Sequence, residues 1–330
     1  MIRVAMLGAG RIGKIHAANA ANNPRCKLVA VADPIKEAAE GLAKALGAET
    51  STDAKAVVTR SDVDAVIIGT PTDTHIDFML TAARSGKSVL CEKPIDLDIK
   101  KADAALAELD KLKAKVMLAF NRRFDPSFAA LKNAINAGAI GDVHQVVITS
   151  RDPGPPPISY INTSGGIFRD MTIHDFDLAR FLLGEEPAEV LATASCMVDP
   201  AIGKAGDFDT LMVVMKTASG KQCHINNSRK AVYGYDQRAE VFGSKGMMMN
   251  DNLRPTTLRS YTATQTDAAE PLLNFFLERY ADAYRHELNA FIDAVVDGKP
   301  LPITARDGRQ ALRLADAALE SATTGKMVKV

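Results

Sequence analysis

The chain has 330 residues, 47% hydrophobic and 24% charged, a length that suits about two domains of ~150 residues. Forty basic residues balance forty acidic ones, which excludes a strongly cationic nucleic-acid binder and a polyacidic disordered chain. No apolar run approaches the ~18 residues needed to span a bilayer, and the opening MIRVAMLGAG lacks a secretory pattern. The four scattered cysteines, Cys26, Cys91, Cys196 and Cys223, suit neither a disulfide framework nor a structural zinc site. A cytoplasmic two-domain protein is expected, with no nucleic-acid or membrane partner.

Apolar runs at 2–7, 28–32, 65–68, 88–91 and 116–120 read as strands, and the segments 14–22, 35–46, 74–85 and 99–112 as helices, with Gly47 stopping the second helix. Strands that are apolar throughout, alternating with helices, predict a parallel sheet covered on both faces. After about residue 121 the pattern changes. A helix is expected at 128–137, closed by Gly138, then a strand at 143–149, a stiff loop at 152–157 and a helix at 171–183. Strands at 190–198, 210–217, 222–228 and 238–242, with turns at 218–221 and 243–246, predict an antiparallel meander. Helices at 272–297 and 305–323 close the chain. The expected fold is α/β: an N-terminal Rossmann doubly wound parallel sheet over 1–120, then an α+β domain over 121–330 with an open, mostly antiparallel sheet.

Gly8-Ala9-Gly10-Arg11-Ile12-Gly13 is a GxGxxG match between the first strand and the first helix. The first glycine permits the tight turn, the second lets backbone approach a pyrophosphate, and the third lets helix and strand pack closely. The helix N-terminus then offers unpaired N–H groups to phosphates. Asp33 ends the second strand, twenty residues after Gly13. Its carboxylate suits the ribose hydroxyls and repels a 2′-phosphate, favouring NAD over NADP; Lys36 nearby leaves some NADP tolerance, and capping the turn before Pro34 is the plainer alternative. Lys93, in Cys91-Glu92-Lys93-Pro94, follows a strand end, where doubly wound folds bind ligands. Within 164–177, Asp170 and His174 are four apart and share one face of a helix, with Asp177 one turn on. A carboxylate beside an imidazole orients it and stabilises its protonated form, as a general base taking an alcohol proton requires. Ile173, Phe176 and Phe181 are expected to pack inward. Asn121-Arg122-Arg123-Phe124 suits either a polar substrate or interdomain ion pairs. Tyr233 and Tyr235 suit a binding site or sheet packing, and Met247-Met248-Met249 reads as adaptable core. No histidines stand at zinc-site spacing, and Asp170 and His174 lack a third ligand, so no metal is expected.

GAGRIG (8–13), VADP (31–34), GTPTDTH (69–75), CEKP (91–94), RRFD (122–125) and GGIFRDMTIHDFD (165–177) together resemble the glucose–fructose oxidoreductase/inositol dehydrogenase superfamily over essentially the whole chain. The phrase around Arg169 to Asp177 is most similar to bacterial inositol 2-dehydrogenases. That resemblance implies an NAD-dependent oxidoreductase that oxidises a ring hydroxyl of myo-inositol to the ketone. It implies cofactor contacts at Gly8, Gly10, Arg11, Ile12, Gly13, Asp33, Thr70 and Glu92. It makes Lys93, Asp170 and His174 catalytic, with Asn121, Arg122, Asp152 and Tyr235 reading the substrate. Members often carry Met where this chain has Asn121. Scyllo-inositol, another cyclic polyol or an aldose is the alternative substrate, and a non-catalytic NAD or sugar sensor a more distant reading. Pairing through the C-terminal sheet into a homodimer or homotetramer is also implied.

Overall fold

The structure is a computed structural model describing residues 1–330. It divides into two compact units, 1–124 with 283–312, and 125–282 with 313–330.

The first unit opens with β1 (Ile2–Leu7), α1 (Arg11–Ala21), β2 (Cys26–Ala32), α2 (Lys36–Leu46), β3 (Glu49–Ser51) and α3 (Ala54–Val58). It continues with β4 (Ala65–Ile68), α4 (His75–Arg84), β5 (Ser88–Glu92), α5 (Ile99–Lys111) and β6 (Val116–Ala119). The strands lie in the order β3-β2-β1-β4-β5-β6, every pair parallel. β4 and β6 are buried at every position, as strands covered on both faces must be, and each large aliphatic side chain so buried stabilises the fold by roughly 1.5–3 kcal/mol. The direction of winding reverses between β1 and β4, so the ligand crevice of such a sheet lies at their carboxyl ends. α1 starts at Arg11 rather than at residue 14, because the last glycine of the loop is already inside the helix. β3 and α3 are too short, at three and five residues, for a periodic signal, and the sequence reading has neither.

The second unit contains α6 (Pro126–Asn136), β7 (Val143–Arg151), α7 (Ile158–Ser164), α8 (Ile167–Asp170), α9 (Ile173–Leu183), β8 (Pro187–Ser195) and α10 (Pro200–Lys204). Then come β9 (Thr210–Thr217), β10 (Gln222–Ser228), β11 (Asp236–Gly243), β12 (Gly246–Asn250), the short β13 (Arg259–Ser260) and β14 (Ala268–Ala269), and α11 (Phe276–Arg279). The seven-stranded sheet also takes in β15 (Val328–Lys329) and runs β12-β11-β7-β10-β9-β8-β15. Only β7 and β10 pair in parallel. β8, β9 and β10 form the expected meander, but β7 enters between β10 and β11, so the sheet is not a meander throughout. The three methionines at 247–249 lie on the edge strand β12, with Met247 and Met249 47% and 55% exposed. Met247 and Met249 therefore belong to an exposed sheet face, and Met248, half-buried, points to the other side.

α12 (Ala281–Val296) and α13 (Ala305–Thr324) complete the chain. The expected helix over 272–297 begins only at Phe276 and is broken at Tyr280. Residues 283–312, which the sequence reading groups with the second domain, fold with the first unit. Tyr284 meets the His16 ring edge-on at 5.6 Å, Asn23 Nδ2 donates to Asn289 Oδ1 at 2.7 Å, and Arg309 pairs with Asp103 at 2.7 Å.

Candidate functional site

In the first unit the phosphate-binding geometry is made by backbone. Gly8 has φ +96°, and a Cβ there would stand 2.5 Å from the Gly69 carbonyl oxygen, so the ends of β1 and β4 touch through glycine. A Cβ on Gly13 would stand 2.0 Å from the Gly8 carbonyl, which is why α1 can pack against its own entry loop. Gly10 differs: nothing lies within 4 Å of its Cβ direction, and it caps α1 without a side-chain hydrogen bond. That leaves open space at a helix N-terminus, which fits a pyrophosphate. Arg11 and Ile12 form the first turn, Arg11 exposed and Ile12 half-buried.

Asp33 caps the turn before Pro34, the plainer of its two readings, and its geometry is compatible with the other. Its Oδ2 accepts from Ala9 N at 2.7 Å, inside the glycine loop, and its Oδ1 accepts from Ile35 N at 2.8 Å across the turn. Each carboxylate oxygen keeps a further lone pair for a ribose hydroxyl. At the end of β4, Thr70 Oγ1 bonds Thr74 Oγ1 at 2.6 Å. His75 lies buried with its ring nitrogens 2.8 and 3.0 Å from the carbonyl oxygens of Pro94 and Thr70, and burial pulls its pKa below the ordinary imidazole value despite those carbonyls. This ties the β4 loop to the Glu92-Lys93-Pro94 turn. Glu92 is buried at the end of β5 and its Oε1 bonds His16 Nε2 at 2.8 Å, while Lys93 beside it is half-buried. Asn121 and Arg122 are buried in a single 3-10 turn after β6. Arg123 pairs with Asp307 at 3.0 Å, an ion pair inside the first unit.

In the second unit the site is made by side chains. The helix expected over 171–183 is α9, which begins two residues later at Ile173, and the preceding α8 ends at Asp170. Asp170 and His174 thus flank a break instead of sharing one uninterrupted helix face. At the break Thr172 is fully buried, and its Oγ1 donates to Asn227 Oδ1 at 2.8 Å. Asn227 Nδ2 in turn donates to Asp175 Oδ2 at 2.9 Å and to the Ser150 carbonyl at 3.1 Å. Of residues 173–179 only His174 is not fully buried. Ile173 and Phe176 pack inward as expected, whereas Phe181 is half-buried. Asp177 is buried and pairs with Arg180 at 3.3 Å.

α8 is entered through Gly165 and Gly166, both with left-handed φ of 84° and 82°. A Cβ on Gly166 would stand 2.8 Å from Asp207 Oδ1, the same oxygen that accepts from Ile167 N at 2.9 Å. Burial lowers the Arg229 pKa, but Asp170 and Asp207 beside its guanidinium outweigh that and hold it raised. Asp152 is half-buried, its backbone bonded to Ser228 and Ala231 at 2.9 and 2.7 Å. Tyr235 is buried, edge-on to Tyr280 at 5.9 Å and to Phe275 at 6.3 Å. Tyr233 instead is partly exposed, and partial burial, together with its hydroxyl donating to Asp236 at 2.7 Å, raises its pKa. No three His, Cys, Asp or Glu side chains converge as a metal site would.

Arg229, Asp207, Asn227 and the partnership of His16 with Glu92 are absent from the sequence reading. One signal was there: in β10 the buried positions alternate as Cys223, Ile225 and Asn227, so an amide occupies a core position. Arg229 continues that alternation beyond the strand end.

Residues 2–120 match the oxidoreductase family with an NAD-binding Rossmann fold, and residues 128–249 match the GFO/IDH/MocA C-terminal domain. Over 329 residues, 100% of this chain and 99% of the other, the sequence is 51% identical to inositol 2-dehydrogenase of Rhizobium meliloti (strain 1021). The chain belongs to the GFO/IDH/MocA oxidoreductase family. Another member, myo-inositol 2-dehydrogenase of Thermotoga maritima, is 45% identical over 330 residues, 100% of this chain and 98% of that one. The crystal structure of scyllo-inositol dehydrogenase from Lactobacillus casei with bound NAD(H) and scyllo-inositol has a TM-score of 0.93 at 31% identity, covering 100% and 99% of the two chains. Within this family the first unit carries the NAD-binding Rossmann domain, and the open glycine loop with Asp33 fits that cofactor.

Proposed function

We propose that the protein oxidises a ring hydroxyl of myo-inositol to the ketone with NAD. The observation that carries this reading is the 51% identity, end to end, with an inositol 2-dehydrogenase. Bound NAD supplies the acceptor for the hydride that leaves the carbinol carbon. His174, half-buried at the start of α9, takes the proton from the hydroxyl oxygen, and Asp170 orients its ring. Lys93 donates a hydrogen bond to the same oxygen and stabilises negative charge as it develops. Asn121, Arg122, Asp152 and Tyr235 read the remaining hydroxyls. Gly8, Gly10, Arg11, Ile12, Gly13, Asp33, Thr70 and Glu92 hold the cofactor. The test is NADH formation at 340 nm with myo-inositol, scyllo-inositol and glucose, each with NAD and NADP. The highest kcat/KM is expected for myo-inositol with NAD; a higher value for an aldose than for every inositol would overturn the substrate assignment.

The same reading includes a homodimer or homotetramer through the second unit's sheet. Strand register puts Leu191, Val214, His224, Val147, Glu240 and Met249 in one row across six strands. Leu191, Val214 and Met249 are exposed, and Met212, Phe242 and Met247 extend the apolar face. Such a face on a sheet is what a second copy covers. Sedimentation equilibrium should show assemblies that M212E with V214E dissociates. No helix is long and apolar enough to cross a membrane, and all four cysteines are free, which supports a reducing, cytoplasmic setting.

A further inference from the structure

A buried cation stands behind the proposed base. The Arg229 side chain is 2% exposed, and its Nη2 lies 3.1 and 3.3 Å from the two oxygens of Asp170 and 3.1 Å from Asp207 Oδ2. Asp207 also accepts from Ile167 N, the first residue of α8, and Asp170 is the last. One guanidinium therefore links the carboxylates at both ends of a four-residue helix, an element too short to hold its own shape. Buried ion pairs contribute little net stability compared with apolar packing, because desolvation offsets their attraction. Their use is geometric: they restrict a carboxylate to one orientation.

We propose that Arg229 is a positioning residue for the oxidation, fixing the Asp170 carboxylate that orients His174, with Asp207 as its second anchor. This rests on the roles given above to Asp170 and His174. Arg229 touches neither polyol nor cofactor in this account. It acts only through Asp170, so its loss slows the proton and hydride step and leaves ground-state binding in place.

The test uses the full-length enzyme and two variants. Replacing Arg229 alone by Gln would take one cation away from two carboxylates, so the first variant is R229Q with D207N, which removes one charge of each sign. The second is R229K, which keeps a cation beside Asp170. In R229Q with D207N, kcat for myo-inositol should fall about 10- to 100-fold, while KM for myo-inositol and Kd for NADH stay within about threefold of wild type. The deuterium isotope effect with myo-inositol deuterated at the reacting carbon should rise, because chemistry becomes more fully rate-limiting. R229K should recover most of the lost rate. A kcat within twofold of wild type overturns the proposal. So does a fall in kcat with an unchanged isotope effect, since that reports fewer folded active sites. If wild type turns over and the double variant matches it, only the role of Arg229 fails. If wild type binds NADH and oxidises no polyol, the proposed function fails and this role with it.

Discussion

The two units make their sites from different materials. In the first unit the glycine loop is shaped by what is missing: Cβ atoms at Gly8 and Gly13 would stand 2.5 and 2.0 Å from carbonyl oxygens, so only bare backbone fits. In the second unit the segment around His174 is shaped by what is added. Arg229, Asp207, Asn227, Thr172 and Asp175, all buried or nearly so, hold a broken helix in place through charge and amide bonds. A dinucleotide's phosphates are the same in every member of a cofactor family, and a backbone cradle serves them all. A polyol's hydroxyls must be told apart one by one, and that needs side chains with fixed rotamers.

The sharpest way to test this contrast is at the proposed base. H174A should lower kcat by about 10³ within the usual 10²–10⁴ range for general-base removal, with NADH affinity unchanged by fluorescence titration. Next, the two kinds of glycine should separate. G13A should destabilise the protein by about 2 kcal/mol or more through overpacking against the Gly8 carbonyl, measured by urea unfolding. G10A, where the Cβ meets nothing and φ is −70°, should leave stability within about 0.5 kcal/mol yet weaken NADH binding by crowding the phosphates. Equal effects at both glycines would break the backbone account. N227A leaves Asp175 and Thr172 short of a partner and should cost about 1–3 kcal/mol, with no loss of NADH affinity in the folded fraction. D33S should move the ratio of kcat/KM for NAD over NADP by about tenfold toward NADP; an unmoved ratio would leave Asp33 only its two backbone bonds.

The smallest effect expected is one of pH. His75 titrates below its ordinary 6.5 because burial disfavours the charged ring. Below that value the unfolded chain takes up a proton the folded ring refuses, so this contribution is fully present above pH 6.5 and falls as pH drops. Urea midpoints at about pH 7.5 and 5.5 should show a larger decrease for wild type than for H75Q.

The same contrast explains what the sequence discloses. Gly8 and Gly13 are legible because backbone close approach leaves only glycine able to stand there, and Gly10 and Asp33 are legible by their fixed spacing from those two. β4 and β6 are legible because a doubly covered strand is apolar at every position. Asp170 and His174 are visible as a pair, but the break at Met171 and Thr172 is not, and the partner of its buried Thr172 hydroxyl is Asn227, 55 residues further along the chain. Arg229 and Asp207 belong to no motif of the sequence because their meaning lies in one another. The place of β7 between β10 and β11 is hidden for the same reason: register between distant strands leaves no local periodicity.

The return of 283–312 to the first unit also bears on the order in which the protein is made. The last strand of the parallel sheet ends at Ala119, but His16 and Asn23 find their ring and amide partners only at Tyr284 and Asn289, and Asp103 its guanidinium only at Arg309. A ribosome that has released the whole nucleotide motif must therefore extend the chain almost to its end before that unit can close. The second unit waits for 313–330 in turn, so neither domain can be finished much before the chain itself.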